Sequence, residues 1–336
     1  MPGDDGSLRM NRVRKILGYG RYVSIPFGGM AVAGVVDERI RRLTGRPYTR
    51  WVYARKDELF QHFLYDRFGS FIDGWKNRRE CAVPYADVER APIWMLWMQG
   101  EGSLPPLVRE NLEAMRRRAG NHPVHLVSLA SLSDYAELPG RYMDLLGSGH
   151  ITPAAFSDIV RIYLLWQSGG LWVDSSVRIT KRLPHEIFEL PLWTAKGIDG
   201  GFPLEPKCLD ITKWTGYFLA APPNSLFFSF LKAAYDVYFD EYDEVLDYLL
   251  INHFAKIARE QIGVIGDEHA LIPDNNYYCE ILRVALDAGD LSLARKCLES
   301  TTYMFKLTNR AEWARPADDG RTQASRVIES VLGGCE

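Results

Sequence analysis

Two continuous apolar runs on either side of a helical pattern constrain the fold of this chain most strongly. The first run, APIWMLWM, occupies residues 91–98, and the second, VHLVSL, occupies residues 124–129. Such runs are typical of strands that are buried on both faces of a parallel sheet. Between them, Pro105 and Pro106 open a helix whose C-terminal end carries three arginines, where cations stabilise the helix dipole. A strand, a helix and a second strand in this order predict a βαβ unit and an α/β fold.

A third strand is predicted after a double glycine. Residues 156–167 have the pattern of a helix, Gly169 and Gly170 end it, and LWVDSSV follows at residues 171–177. Open α/β sheets bind their ligands beyond the carboxyl ends of the strands. We therefore expect the polar end of this strand, at residues 174–176, to lie in a ligand-binding crevice.

The remainder of the chain is expected to be mainly helical around this mostly parallel sheet. Helices are predicted from residue 50 to near Gly69 and at residues 227–239, 245–258, 280–288 and 291–298, with an extended segment at 303–307. We divide the chain into a basic helical N-terminal extension at residues 1–89, a main domain at 90–310 and a C-terminal tail at 311–336. The end of this tail, from residue 317, is expected to be held loosely.

The charge of the chain argues against a nucleic-acid partner but is unevenly distributed. Forty basic and 43 acidic residues give a net charge of -3, without the overall positive field of most nucleic-acid binders. The first 50 residues nevertheless hold ten basic and four acidic residues. Two interpretations stay open: the extension rests on an anionic membrane surface, or it is a solvated helix with arginines on its outer face. The apolar stretch at residues 22–36 is shorter than the ~20 residues that span a bilayer.

The cellular location is expected to be the cytoplasm. The N-terminus lacks the layout of a signal peptide, and the five cysteines have neither a CxxC motif nor a paired short spacing. This pattern predicts neither a disulfide framework nor a zinc site. If the basic extension binds lipid, the protein is expected at the inner face of the cell membrane.

Three charged residues are predicted to converge at the mouth of the crevice. Asp158 and Arg161 lie three residues apart on one helix face, and Asp174 follows at the end of the third strand. A purely structural alternative is a salt bridge between Asp158 and Arg161 within the helix, which would stabilise the helix by only ~0.2 to 0.5 kcal/mol. Motifs of serine hydrolases, P-loop NTPases, dinucleotide oxidoreductases and HExxH zinc enzymes are absent from the sequence.

The segment FSDIVRIYLLWQSGGLWVDSSV, at residues 156–177, resembles the SD-x-x-R…GG-[ILV]-[WY]-x-D signature of GT-A glycosyltransferases. The chain is most similar to the capsular polysaccharide synthesis family, which is related to the DXD sugar-binding (family 32) transferases. Weaker similarity covers residues 93–108, 247–258 and 302–310, so the resemblance extends over about 90–310. In the second of these segments Asn252 replaces an acidic residue, while Asp247 and His253 lie nearby.

The resemblance implies a GT-A-like (Rossmann-like) fold and a retaining transfer of sugar from a nucleotide-sugar donor, expected to be UDP-linked. The acceptor would be a growing capsular or cell-surface polysaccharide, or a lipid-linked oligosaccharide. By the same resemblance, Asp158 would accept hydrogen bonds from the donor sugar, and Arg161 would bind the sugar or the diphosphate. Asp174 and Ser175 would contact the donor, and Lys306 would place a second cation near its phosphates.

Further site residues are also implied by the resemblance. Trp97 and Gln99, at the end of the first strand, would stack on or hydrogen-bond the uracil, whereas Trp94 is expected in the core. Mn²⁺ or Mg²⁺ would be held by Asp174 and Ser176 and would stabilise the leaving diphosphate. Ser176 departs from the family pattern, because a hydroxyl is a poorer ligand than a carboxylate for a hard dication.

Two other functions stay open at this point. The first is a catalytically inactive GT-A-like scaffold that binds sugars or partners during polysaccharide assembly. The second is a glycosidase that uses Asp158 and Asp174 as acid and base, although the sequence does not explain how one acid would acquire a raised pKa.

Overall fold

The computed structural model describes residues 18, 20–80, 85, 87–198, 209–210 and 212–333. Within these residues, helices pack around a five-stranded sheet, and two further strands form a small second sheet. The strands are β1 (Ile93–Leu96), β2 (Val124–Val127), β3 (Gly170–Val173), β4 (Val177–Ile179), β5 (Trp193–Thr194), β6 (Phe218–Ala221) and β7 (Met304–Lys306). The α-helices are α1 (Ile25–Thr44), α2 (Arg50–Lys76), α3 (Pro106–Arg118), α4 (Gly140–Gly147), α5 (Pro153–Gln167), α6 (Glu186–Glu189), α7 (Leu226–Glu241), α8 (Leu250–Gln261), α9 (Gly263–Ala270), α10 (Ile281–Ala288), α11 (Leu291–Glu299) and α12 (Gln323–Leu332).

The main sheet has the strand order β2-β1-β3-β6-β5. β1 pairs in parallel with β2 and with β3, while β6 is antiparallel to both β3 and β5. Four strands therefore run in one direction and β6 runs in the other. Every residue of β1, β3 and β6 is buried, which requires cover on both faces of the sheet. The predicted α/β class, with a mostly parallel sheet flanked by helices, is confirmed.

The third predicted strand is shorter than expected, because the chain turns at its polar end. β3 ends at Val173, and the amide of Val177 donates to the carbonyl of Asp174 at 2.8 Å to close the turn. The chain then enters β4, which pairs with β7 in a separate two-stranded sheet. The prediction of one continuous strand over residues 171–177 was wrong, whereas the extended segment predicted at 303–307 is confirmed as β7.

The double glycine before β3 is required by backbone geometry. Gly169 has φ +62° and Gly170 has φ +97°, values that favour glycine. A Cβ atom at Gly169 would lie 2.6 Å from the amide nitrogen of Pro223, and one at Gly170 would lie 2.9 Å from the ring of Pro92. The buried Trp94 also reaches this turn, since its Nε1 donates to the carbonyl of Gly169 at 2.7 Å. Trp94 is therefore a core residue, as predicted.

The N-terminal helices share the main hydrophobic core. α2 was predicted to end near Gly69 but continues to Lys76, with non-helical dihedral angles at Phe68 that mark a kink. The prediction failed because the apolar stripe continues past the glycine, where Ile72 and Trp75 are buried in the same cluster as the sheet residues. No helix among the described residues is long and apolar enough to cross a membrane.

The C-terminal segment is packed rather than loose over the residues that the structure describes. α12 buries Ala324 and Ile328 in a second hydrophobic cluster, together with residues of α10 and α11. At the start of this helix, Thr322 donates from its amide and its hydroxyl to the carboxylate of Glu110. The expectation of a loosely held end from residue 317 was therefore wrong, because the short apolar helix of the tail has a partner.

Cys279 and Cys297 are buried free thiols. Cys81, Cys208 and Cys335 lie outside the described residues.

We predict that Gly170→Ala lowers the free energy of unfolding by about 3 kcal/mol, since it combines a disfavoured φ with a steric clash in the core. Chemical denaturation followed by tryptophan fluorescence measures the change. Gly74→Ala is the matched control, because Gly74 lies in the last turn of α2 with open space around it. The control is expected to gain about 0.5 to 1 kcal/mol. Equal stability of both variants would contradict the prediction.

Candidate functional site

A cleft lies at the carboxyl ends of β1 and β3, where the sequence predicted a crevice. The residues that line it are Leu96, Ala154, Ser157, Asp158, Arg161, Trp172, Asp174, Ser175 and Tyr248. Leu96 is the last residue of β1, and Asp174 and Ser175 directly follow β3. α5 begins with Pro153, and the side chain of Thr152 caps it by accepting from the amide of Ala155. Its first turns carry Asp158 and Arg161 to the cleft.

The guanidinium of Arg161 joins the two predicted carboxylates. Its Nη2 lies 3.1 Å from Oδ1 of Asp158 and 3.1 Å from Oδ1 of Asp174. Its Nη1 donates to the carbonyl oxygen of Gly216. Arg161 is only 6% exposed, so its charge is held largely out of water. The helical salt bridge and the convergence of three charged groups, which were alternatives from the sequence, are both present.

Asp174 receives hydrogen bonds on both of its carboxylate oxygens. Oδ1 accepts from Nε1 of Trp172 at 2.8 Å as well as from Arg161. Oδ2 accepts from Nζ of Lys306 at 2.7 Å. Lys306 lies on β7, and the pairing of β7 with β4 brings it beside the turn that follows β3. The structure thus places Asp158, Arg161, Asp174 and Lys306 in one cluster.

The pKa values of the two carboxyl groups, Asp158 and Asp174, are shifted in opposite directions. Burial raises the pKa of Asp158 to about 6, although the neighbouring Arg161 lowers it. Burial also acts to raise the pKa of Asp174, but Lys306 and Arg161 outweigh this effect and hold the pKa below its ordinary value. Asp174 is therefore ionised throughout the physiological range, while Asp158 gains a proton just below neutral pH.

The turn that holds the predicted metal ligands does not fit a divalent cation. Mg²⁺ and Mn²⁺ take oxygen ligands with lone pairs available to the ion. Both oxygens of Asp174 already accept from nitrogen donors, two of which carry positive charge. Ser176 does not line the cleft, and its carbonyl accepts from the amide of Leu307 at 2.8 Å. A cation bound by Asp174 would compete with Arg161, Trp172 and Lys306 for the carboxylate oxygens.

Of the other residues predicted to contact the donor, one lines the cleft and two lie outside it. Ser175 lines the cleft, and its carbonyl accepts from Nδ2 of Asn111 at 3.0 Å. Trp97 and Gln99 follow β1 but do not line the cleft. Trp97 donates from Nε1 to the hydroxyl of Ser103 at 3.0 Å, and Gln99 is exposed. Contact of these two residues with a base stays a prediction.

Sequence reasoning missed two aromatic residues of the cleft. Trp172 stands two positions before Asp174, and this spacing in an extended chain puts both side chains on one side. The period of the strand could therefore have identified it. Tyr248 lies in the turn before α8 and is 74% exposed at the cleft. No local pattern identifies it, because its position depends on how α8 packs.

A buried charge network supports the turn that carries Tyr248. Asp247 forms an ion pair with Lys56 of α2, and the Lys56 ammonium also lies 3.3 Å from Asp57. His253 is fully buried, with Nε2 3.7 Å from Asp247. Asp57, Asp247 and His253 are close enough together to bind a metal ion, but the Lys56 ammonium already contacts both carboxylates. Asp247 and His253 thus lie behind the cleft rather than in it.

The raised pKa of Asp158 gives a pH prediction. The folded chain binds this proton more tightly than the unfolded chain does. The contribution of Asp158 to the free energy of unfolding therefore decreases as the pH rises from about 4 to about 6. We expect carbon-detected NMR of the carboxyl to show a midpoint near 6. Asp158→Asn should remove this titration, and Lys306→Met should move the midpoint upward, because Lys306 lowers it. A midpoint near 4 would contradict the environment described for Asp158.

The chain is similar to individual glycosyltransferases in sequence and in structure. Over 92 residues the chain is 30% identical to "O-glycosyltransferase braB" from Annulohypoxylon truncatum, covering 25% of this chain and 22% of that protein. The chain thus spans less than a quarter of the length of this curated relative. The solved structure "PaToxG Glycosyltransferase" aligns with 10% sequence identity and a TM-score of 0.38, covering 83% of this chain and 96% of that one.

A family-level match covers most of the chain. The model of the family described as "Capsular polysaccharide synthesis protein" matches residues 43–322, which include α2, the sheet and every residue of the cleft. The chain therefore belongs to the capsular polysaccharide synthesis protein family.

Proposed function

We propose that the protein is a glycosyltransferase that uses a nucleotide-sugar donor, UDP-linked, and transfers the sugar with retention to a capsular or cell-surface polysaccharide or its lipid-linked precursor. Family membership supports the biological context. The observation that carries the chemistry is the cluster of Arg161 and Lys306 around Asp174, at the carboxyl ends of β1 and β3. The GT-A assignment of the fold is part of this proposal.

The two cations of the cluster suit a diphosphate leaving group. When the bond between sugar and phosphate breaks, negative charge develops on the diphosphate, and fixed positive charge nearby stabilises it. Lys306 and Arg161 are both held by Asp174, so they are oriented before the donor binds. Asp174 acts in this scheme as the residue that positions them. The positive charge that a metal would supply is available from the chain itself.

Asp158 suits recognition of the sugar. Its side chain is partly exposed to the cleft, and one oxygen is oriented by Arg161. With a pKa of about 6, the carboxyl is mostly ionised at neutral pH and accepts hydrogen bonds from hydroxyl groups. Tyr248 provides an exposed aromatic ring at the same cleft, against which the apolar face of a sugar can pack.

A glycosidase is the second candidate, and the pKa difference between the carboxyl groups favours it. A raised pKa at Asp158 and a lowered pKa at Asp174 match the general acid and the ionised partner of such enzymes. Against it, both oxygens of Asp174 are engaged by Arg161, Trp172 and Lys306. A carboxylate held in this way is a poor nucleophile or base. We therefore prefer the transferase.

We predict that the protein releases UDP from at least one donor in a panel of UDP-sugars. Lys306→Met should lower the rate at least about 100-fold because it removes a cation, and Asp174→Asn should do so because it releases the two cations that Asp174 positions. Release of UDP, measured with and without acceptor glycan, is the assay. Lys256→Met and Asp267→Asn are the matched controls, since Lys256 pairs with Glu260 on the surface of α8 and Asp267 is exposed on α9. Circular dichroism confirms that each variant is folded.

The remaining outcomes of this assay separate the other candidates. Binding of a nucleotide sugar without turnover would indicate the inactive scaffold. Release of sugar from glycans without a nucleotide donor would indicate the glycosidase. Repeating the assay with EDTA, Mg²⁺ and Mn²⁺ tests the metal predicted from the family resemblance, and activity that persists in EDTA would support the role of Lys306 and Arg161.

We predict that Tyr248→Ala raises the KM of one substrate about tenfold with a smaller effect on kcat, because a ring that packs on a sugar contributes binding by apolar contact. Tyr248→Phe keeps the ring and is expected to stay within about twofold of the unchanged protein. Steady-state kinetics with donor and acceptor varied in turn identify which sugar the ring contacts. Unchanged KM values for both substrates in Tyr248→Ala would refute this role.

A further inference from the structure

The outer face of α1 is apolar although it is turned toward solvent. At 100° per residue, five side chains of this helix fall within about 80° of one another. They are Ile25, Val32, Val36, Ile40 and Leu43. Ile25 is 87% exposed, Val36 51% and Leu43 78%. We call this set the outer apolar stripe.

The opposite face of α1 fixes the orientation of the helix. Phe27 is buried and stacks on Phe60 of α2, with ring centroids 5.5 Å apart. The hydroxyl of Tyr53, also on α2, donates to the carbonyl of Gly34 at 3.1 Å. The helix therefore has its own core-facing side, and the outer apolar stripe is an additional surface that α2 does not cover.

The surface around the outer apolar stripe is basic. Residues 20–55 contain seven arginines and two acidic residues. Both acidic residues are neutralised locally, since Asp37 pairs with Arg46 and Glu38 pairs with Arg42. Arg39 is exposed and lies within about 40° of the stripe on the helical wheel. The stripe therefore has a positive border.

Exposed aromatic rings adjoin both ends of the helix. Tyr22 precedes α1 and is 57% exposed, and Trp51 is near the start of α2 and is 63% exposed. Amphipathic rings of this kind are favourable at the boundary between lipid headgroups and acyl chains.

We infer that α1 lies flat on an anionic membrane surface, with the outer apolar stripe inserted at the level of the headgroups and the surrounding arginines against lipid phosphates. An apolar stripe with a basic border is the pattern of helices that lie in the membrane interface. A second copy of the chain is disfavoured as the occupant, because a symmetric pairing would bring two basic surfaces together. The inference does not depend on the proposed function, since it uses no residue of the cleft.

Vesicle flotation of the full chain tests the inference. We expect binding to vesicles of equal parts phosphatidylcholine and phosphatidylglycerol, weaker binding to phosphatidylcholine alone, and a decrease with added salt. The double variant Val36→Ser/Leu43→Ser should lower the partition coefficient at least about tenfold. Leu291→Ser is the matched control, because Leu291 is 64% exposed but lies on α11 rather than on α1 or α2, and the substitution should leave binding unchanged.

Three results would overturn the inference. The first is that the unchanged protein binds neither kind of vesicle. The second is that the double variant binds as tightly as the unchanged protein, which would assign binding to another part of the chain. The third is a dimer in light scattering that the double variant converts to a monomer, which would make the stripe an interface between copies.

Discussion

The buried guanidinium of Arg161 is the interaction on which the cleft depends. A buried charge is costly unless it is paired and hydrogen-bonded, and the two terminal nitrogens of Arg161 find partners in three parts of the chain. Asp158 comes from its own helix, Asp174 from the turn after β3, and the carbonyl of Gly216 from the segment before β6. A Cβ atom at Gly216 would lie 3.0 Å from Nη1, so the small residue leaves room for the guanidinium.

The two sheets contribute differently to the surroundings of Arg161. The main sheet provides a rigid floor, since β1, β3 and β6 are fully buried. The small sheet of β4 and β7 brings Lys306 to Asp174 across 132 positions of sequence. The turn between β3 and β4 therefore determines the charge arrangement of the cleft, because it places the Asp174 carboxylate between the cations of Arg161 and Lys306. The opposite pKa directions of Asp158 and Asp174 follow from this asymmetry.

The sequence predicted the parts of the molecule that depend on local pattern. Continuous apolar runs identified the parallel strands, and the helix, double glycine and strand brought Asp158, Arg161 and Asp174 together by short connections. It did not show that the chain turns at Asp174, because Val177 is apolar like the residues of β3 and only the pairing of β4 with β7 separates the two strands. Tyr248 was missed for a related reason: its place at the cleft depends on tertiary packing around α8.

The ion pair between Lys56 and Asp247 has a consequence for how chains of this fold diverge. It joins α2 to the turn that contains Tyr248. Both charges are largely buried, so each of them is costly without the other. A substitution at one of these positions would persist only with a compensating change at the other, so residues 56 and 247 are expected to be inherited as a pair. An N-terminal extension exchanged between two relatives would need to bring a matching partner for this turn.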